Sequence, residues 1–345
     1  MNKTLDIINH PAGWKSQGLY QNTSLWQYRI NEEEVKEIDN ALKHLKACAP
    51  VDYVIDPSSF PLNHLKNKLN EISDFVENNY GIFLLRGIPV NKYSHSDLKL
   101  IYAGLGSYWG TPVAQSMQGE LIGDVIDTGK SLTDKSGRGT VTKDPLPFHT
   151  DRCDVVTLLC LHQCKIGGKS RVVSAVAIYN EIARTRPDLI ELLEEPYFHA
   201  RAAWETNGEN TFYSLPIFSR YKGNFVTRYL RHFTNMAQNI PGVPKMTEKQ
   251  IEALDLIEKL ANDSEFCADM DFEPGDIQIL NSFVSLHSRE GYEDDEETKR
   301  YLLRLWLSAP NSRPLPPSFA PLYGKVNAGE IRGGVPINKT TEEKL

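Results

Sequence analysis

Three things are scarce in this chain of 345 residues, and each scarcity narrows what it can be. Cysteine is rare: Cys48, Cys153, Cys160, Cys164 and Cys267 make no even-numbered disulfide framework. The opening Met1-Asn2-Lys3-Thr4-Leu5-Asp6 has no apolar signal core, so a reducing cytoplasmic setting is expected. Long apolar runs are missing too; nothing approaches the roughly 20 residues of a membrane span, which excludes a membrane anchor. Basic excess is the third absence: 38 Lys and Arg against 45 Asp and Glu leave a formal charge of −7. A chain without a basic footprint is a poor nucleic-acid binder, so a small-molecule partner is expected. There is no repeat or low-complexity tract, and homo-oligomerisation is left open.

What is present fits one catalytic domain spanning 1–345. Residues 1–79 read as a helical flank: Asn31-Glu32-Glu33-Glu34 forms a capping box before Val35, Ile38, Leu42 and Leu45, and Leu65, Leu69, Ile72 and Val76 form a second stripe. Residues 80–310 read as a β-rich core. Strands are expected in 81–87 and near 121–126, 155–161, 171–176, 225–230 and 277–280, interrupted by helices near 176–184 and after Thr247-Glu248-Lys249-Gln250. The Pro-rich, then charged stretch 311–345 reads as a tail that wraps the surface or stays mobile. The fold class is mainly β within α+β, a jelly-roll, cupin-like core with flanking helices.

Within that core, Pro147-Phe148-His149-Thr150-Asp151 carries the chemistry. Composition alone would produce about one His-x-Asp/Glu in such a chain, and two occur. The other, His95-Ser96-Asp97, follows Ser94 as a helix N-cap and needs no further role. His149 instead precedes the β-branched run 155–161, and side chains at i and i+2 of an extended segment share a face, so His149 and Asp151 can reach one ion. Cys160 and Cys164 with His162 lack the remaining ligands of a zinc clasp.

A third ligand is available in Asn281-Ser282-Phe283-Val284-Ser285-Leu286-His287, which follows the turn Glu273-Pro274-Gly275-Asp276 and an apolar strand. Two histidines and a carboxylate leave positions open on an Fe(II) ion. The next strand, Lys299-Arg300-Tyr301-Leu302-Leu303-Arg304-Leu305-Trp306-Leu307, turns Arg300, Leu302, Arg304 and Trp306 to one face. An inward guanidinium cannot shed its proton and needs an anion. Either a bound dicarboxylate such as 2-oxoglutarate or the acidic loop 293–297 could supply it.

These residues resemble the TauD/TfdA group of Fe(II)/2-oxoglutarate-dependent dioxygenases, over roughly 80–310. The resemblance implies a distorted double-stranded β-helix, with His149, Asp151 and His287 as iron ligands. Arg300, 13 positions after His287, matches the arginine for the co-substrate's C5 carboxylate. Gly167-Gly168-Lys169-Ser170 matches a turn whose hydroxyl, here Ser170, supports that carboxylate, and Arg304 matches an arginine used for co-substrate or substrate anions. The implied chemistry uses O₂ to decarboxylate 2-oxoglutarate to succinate and CO₂ and to remove a hydrogen atom from a substrate. With Asp151 in place, oxygenation is favoured over the halogenation of relatives that lack this carboxylate.

Gln115, Tyr229, Arg231 and Arg304 are the candidates for lining a substrate pocket, and an inward Arg304 or Arg231 would select a small anionic or amino-acid-like substrate. Hydroxylation is the expected outcome. Desaturation or cyclisation by the same cofactors, and a non-catalytic metal-binding sensor on the same jelly roll, are the alternatives.

Overall fold

A computed structural model describes residues 7–50, 52–131, 139–202 and 211–337. Its centre is two facing sheets. The larger runs in the order Gln27–Arg29, Ile82–Arg86, Ile277–Asn281, Val155–His162, Tyr301–Ser308 and Thr111–Pro112, with Ile122–Val125 also paired to Tyr301–Ser308. The smaller runs Ala268–Met270, Ser170–Ser174, Ser285–Arg289 and Leu146–His149. Strands that lie far apart in sequence become neighbours, as a jelly roll requires.

Helices close the outer faces. Asn31 caps Glu32–Ala47 through a capping box, and Leu65–Asn78 turns Leu65, Leu69, Ile72 and Val76 inward; both pack with the larger sheet in one apolar cluster. Ala175–Thr185, Pro187–Leu193 and Glu248–Asn262 cover the smaller sheet through Ile178, Ile182, Leu254 and Ile257. Thr247 caps the last of them with Gln250, the arrangement its sequence predicts. The expected 225–230 strand is shorter, Asn224–Thr227, because the chain leaves the hairpin to enter helix Arg231–Ala237.

Over its described part, 311–337, the last stretch wraps the protein rather than staying mobile, and part of it is buried. Leu315, Phe319, Leu322 and Tyr323 are buried against Phe283 and Val226. Arg332 is fully buried and donates from Nε to Asp154 at 2.7 Å, and Arg313 pairs with Glu77 at 2.7 Å inside the protein. Gly334 N–H bonds Arg152 O at 2.7 Å, so this segment is a strap over the 152–154 turn. Breaking a buried ion pair leaves a charge without a partner and costs roughly 3–5 kcal/mol. Arg332→Ala is accordingly expected to lower unfolding stability by about that amount in denaturant titration. A loss under about 0.5 kcal/mol would show the strap to be dispensable.

Candidate active site

The register of the smaller sheet builds the site. Leu146–His149 lies antiparallel to Ser285–Arg289 with His149 opposite His287, and their rings lie 4.2 Å apart. The chain then turns toward the larger sheet, where Asp151 Oδ2 accepts from Trp306 Nε1 at 2.9 Å. His149 Nε2 stands 3.9 Å from Asp151 Oδ1 and His287 Nε2 stands 3.7 Å from Oδ2. One ligand atom from each residue falls within 4.8 Å of the others, and among the described residues no other His/Cys/Asp/Glu group converges in this way.

Electrostatics suit a cation. His149 Nδ1 lies 2.9 Å from Pro147 O, which fixes the ring and leaves Nε2 as the lone-pair face toward the centre. Burial pushes both imidazoles toward the neutral form, His287 down to about 3 with His149 adding to the effect. Burial alone would raise the Asp151 carboxyl, but the Arg304 charge, with help from the Trp306 N–H, holds it below the usual carboxylate range. The result is two neutral donors and one carboxylate around a gap. That donor set fits Fe(II).

Arg300 borders the same cavity, which has a volume of about 260 Å³. It is 3% exposed, and its Nη1 is buried without a hydrogen-bond partner. The acidic loop does not neutralise it: Asp294 accepts from the Arg300 backbone N–H, while Asp295 binds Lys165 and Thr298. Burial pushes the guanidinium below its ordinary range. The turn beside it demands glycine. At Gly167 (φ +78°) a Cβ would meet Gly291 O at 2.4 Å, and at Gly168 (φ +68°) one would meet Cys164 Sγ at 2.7 Å and Arg300 Nε at 3.1 Å. Ser170 lines the cavity with its Oγ 3.1 Å from Gln278 Nε2.

Over residues 42–306 the chain matches the family described as "Taurine catabolism dioxygenase TauD, TfdA family". It belongs to the TauD/TfdA family. FR-33289 synthase of Streptomyces rubellomurinus is 31% identical across 92% of this chain and 96% of its own. The taurine hydroxylase-like protein SAT17 of Stachybotrys chartarum is 29% identical across 80% and 73%. The fold is shared with an asparagine oxygenase solved with Fe(II), 3-hydroxyasparagine and succinate: TM-score 0.64, 16% identity, 82% of this chain and 93% of that one. This TauD/TfdA protein is an Fe(II)/2-oxoglutarate-dependent dioxygenase that uses O₂. No helix among its described residues is long and apolar enough to cross a membrane.

The substrate candidates separate. Gln115 lines the cavity but is committed: its Oε1 accepts from Arg304 Nε at 2.7 Å, and its Nε2 donates to the carbonyls of Arg304 and Leu121. Arg304 is thereby aimed at the centre, with Nη1 3.8 Å from Asp151 Oδ2. Arg231 borders the cavity yet pairs with Asp255 at 2.7 Å. Tyr229 is a correction: it is buried in the apolar cluster beneath the smaller sheet and does not line the cavity. Arg228 and Tyr229 lie just past the end of strand Asn224–Thr227, and of the two it is Arg228 that borders the cavity, donating to Thr150 O at 2.9 Å. Arg152, Arg228 and Arg289 were not singled out from the sequence. For Arg289 the signal existed, since it follows His287 by two in a strand.

Proposed function

We propose that this dioxygenase hydroxylates a C–H bond of a small anionic molecule, with His149, Asp151 and His287 holding iron(II) and Arg300 holding the far carboxylate of 2-oxoglutarate. The observation that carries this reading is a buried, unpartnered guanidinium in the same cavity as a converged His/Asp/His set. Structural arginines at such depth pair with a carboxylate, as Arg313 and Arg332 do in this protein. When bound, the iron and 2-oxoglutarate supply, with O₂, an oxidant able to take hydrogen from an unactivated carbon.

The residues have separable tasks. Trp306 and Arg304 hold Oδ2 of Asp151, which leaves Oδ1 for the metal. Ser170 supports the co-substrate from the strand facing Arg289. Gln115 acts through Arg304, which meets the anionic end of co-substrate or substrate. Leu146, Leu158, Leu230 and Phe233 form apolar walls that keep water from the reacting carbon.

Charge in the cavity favours an anion over an amino acid. Six arginines border it; of these Arg231 pairs with Asp255 and Arg300 serves the co-substrate, while Arg304, aimed at the centre, is the group placed to meet a substrate anion. The net charge of −7 supports a small-molecule partner over a nucleic acid.

The test is 2-oxoglutarate added without oxygen to Fe(II)-loaded protein, read as a visible metal-to-ligand charge-transfer band. Its absence would withdraw the co-substrate assignment. A succinate-release screen of small phosphate, phosphonate, sulfonate and carboxylate compounds, each with an amino counterpart, follows. A preference for the amino counterparts would overturn the anionic reading, and a product that has lost two hydrogens would replace hydroxylation by desaturation. Trp306→Phe is expected to weaken metal affinity roughly 10–100-fold with the fold intact, because supports behind a metal ligand typically contribute that much. Titration with Co(II) checks it, and unchanged affinity would relieve Trp306 of the role.

A further inference from the structure

Near Arg300 the cavity wall holds a second buried guanidinium. Arg289 stands opposite Ser170 across the smaller sheet and is 6% exposed. Its two terminal nitrogens are occupied: Nη1 donates to Gly139 O at 3.1 Å, and Nη2 to Thr142 O at 2.7 Å and to Asp144 O. Its Nε is buried with no hydrogen-bond partner, as is Nη1 of Arg300. Both guanidiniums lie against the ring of Tyr292, 5.0 and 5.3 Å from its centroid.

Among the described residues neither arginine has a carboxylate side chain at ion-pair distance, and backbone carbonyls bring dipoles but no net charge. Burial, and then the charge of Arg300, push Arg289 down to about 10. Two like charges that have both lost water, and that keep two N–H donors unused, are costly unless one anion with two acceptor oxygens joins them. A carboxylate has that form and charge.

We infer that Arg289 is a second co-substrate-binding arginine, whose Nε–H, together with Nη1–H of Arg300, holds the distal carboxylate of 2-oxoglutarate. This rests on the co-substrate reading above. It gives Arg289 two simultaneous tasks, since the other side of its guanidinium fixes the carbonyls of residues 139–144, and Gly139 and Thr140 border the cavity.

The experiment compares 2-oxoglutarate with 2-oxopentanoate, an acid of equal length without the distal carboxylate, on Fe(II)-loaded full-length protein without oxygen. Affinities are read from the charge-transfer band for wild type, Arg289→Met and Arg289→Lys. Arg289→Met is expected to weaken 2-oxoglutarate at least ~30-fold while 2-oxopentanoate changes less than about threefold, since losing one arm of a buried charge pair is severe. Arg289→Lys can keep the carbonyl contacts but has no Nε–H, so it is expected to fall between the two, and it carries the test alone if Arg289→Met does not fold. Equal weakening of both acids, or no change in either, would overturn the inference and leave Arg289 a structural clamp. If wild type itself gives no band with 2-oxoglutarate, the co-substrate reading falls, and this inference with it.

Discussion

Asp151→Ala is expected to abolish turnover, lowering succinate release by more than roughly a thousand-fold, because losing a metal's charge partner removes several kcal/mol of site stabilisation. Asp151 is the sole anionic group of the converged set, so its removal leaves two neutral imidazoles facing a dication. Arg304 stands 3.8 Å away and would turn from a partner of the carboxylate into a repulsive neighbour of the metal. The Trp306 Nε1–H would be left buried without an acceptor. Metal content measured beside activity separates the possibilities. If Asp151→Ala keeps a tenth of wild-type turnover with iron bound, Asp151 is not a ligand on which the chemistry depends.

Arg300→Met is expected to move function and stability in opposite directions. Affinity for 2-oxoglutarate should fall by about 10²–10³-fold, the cost of removing one partner from a buried charge pair. The ligand-free protein should nonetheless gain roughly 1–4 kcal/mol, because the wild-type guanidinium is 3% exposed, lacks a carboxylate and is replaced by an apolar chain of similar reach. Wild type recovers stability by mass action when metal and 2-oxoglutarate are added, and Arg300→Met should not. Thermal melts with and without co-substrate read both effects at once. A less stable apo Arg300→Met would mean that the wild-type side chain has a compensating partner.

The contrast among buried arginines explains why these predictions differ in sign. Arg313 and Arg332 each meet a buried carboxylate at 2.7 Å, so truncation strands a charge and destabilises. Arg300 and Arg289 sit at similar depth without one, so the protein holds an unfavourable arrangement that a bound anion relieves. Such local cost at a site, offset by the rest of the fold, is what a preorganised binding pocket entails.

Much of the site could be read from the chain alone, for a definite reason. Arg300, Arg304 and Trp306 follow one extended segment, where the two-residue period fixes which side chains share a face, and Asp151 comes two residues after His149, just past the strand's end. The helix starts at Asn31, Ser94 and Thr247 were equally legible, because a cap depends on groups three residues away. Arg289 obeyed the same period beside His287 and was still passed over, since nothing local separates an arginine that grips loop carbonyls from one that faces solvent. Tyr229 and Arg228 show the reverse failure: adjacent residues in one segment, of which only the structure reveals which borders the cavity.

The candidate ligand types, their order and the faces of the strands near them are legible in the chain, because these follow from residue identity and from backbone geometry over a few residues. That His149 lies across from His287, that the acidic loop 293–297 leaves the Arg300 guanidinium without an ion pair, and that 311–337 straps the protein rather than staying mobile emerge only once distant segments meet. Each of those depends on strand register or on an ion pair between distant segments, such as Asp154 with Arg332 at a separation of 178 residues. Local propensity carries no information about such pairs; they are set by which arrangement leaves the fewest buried charges without a partner, and Arg300 and Arg289 are the exceptions at which we place a bound anion.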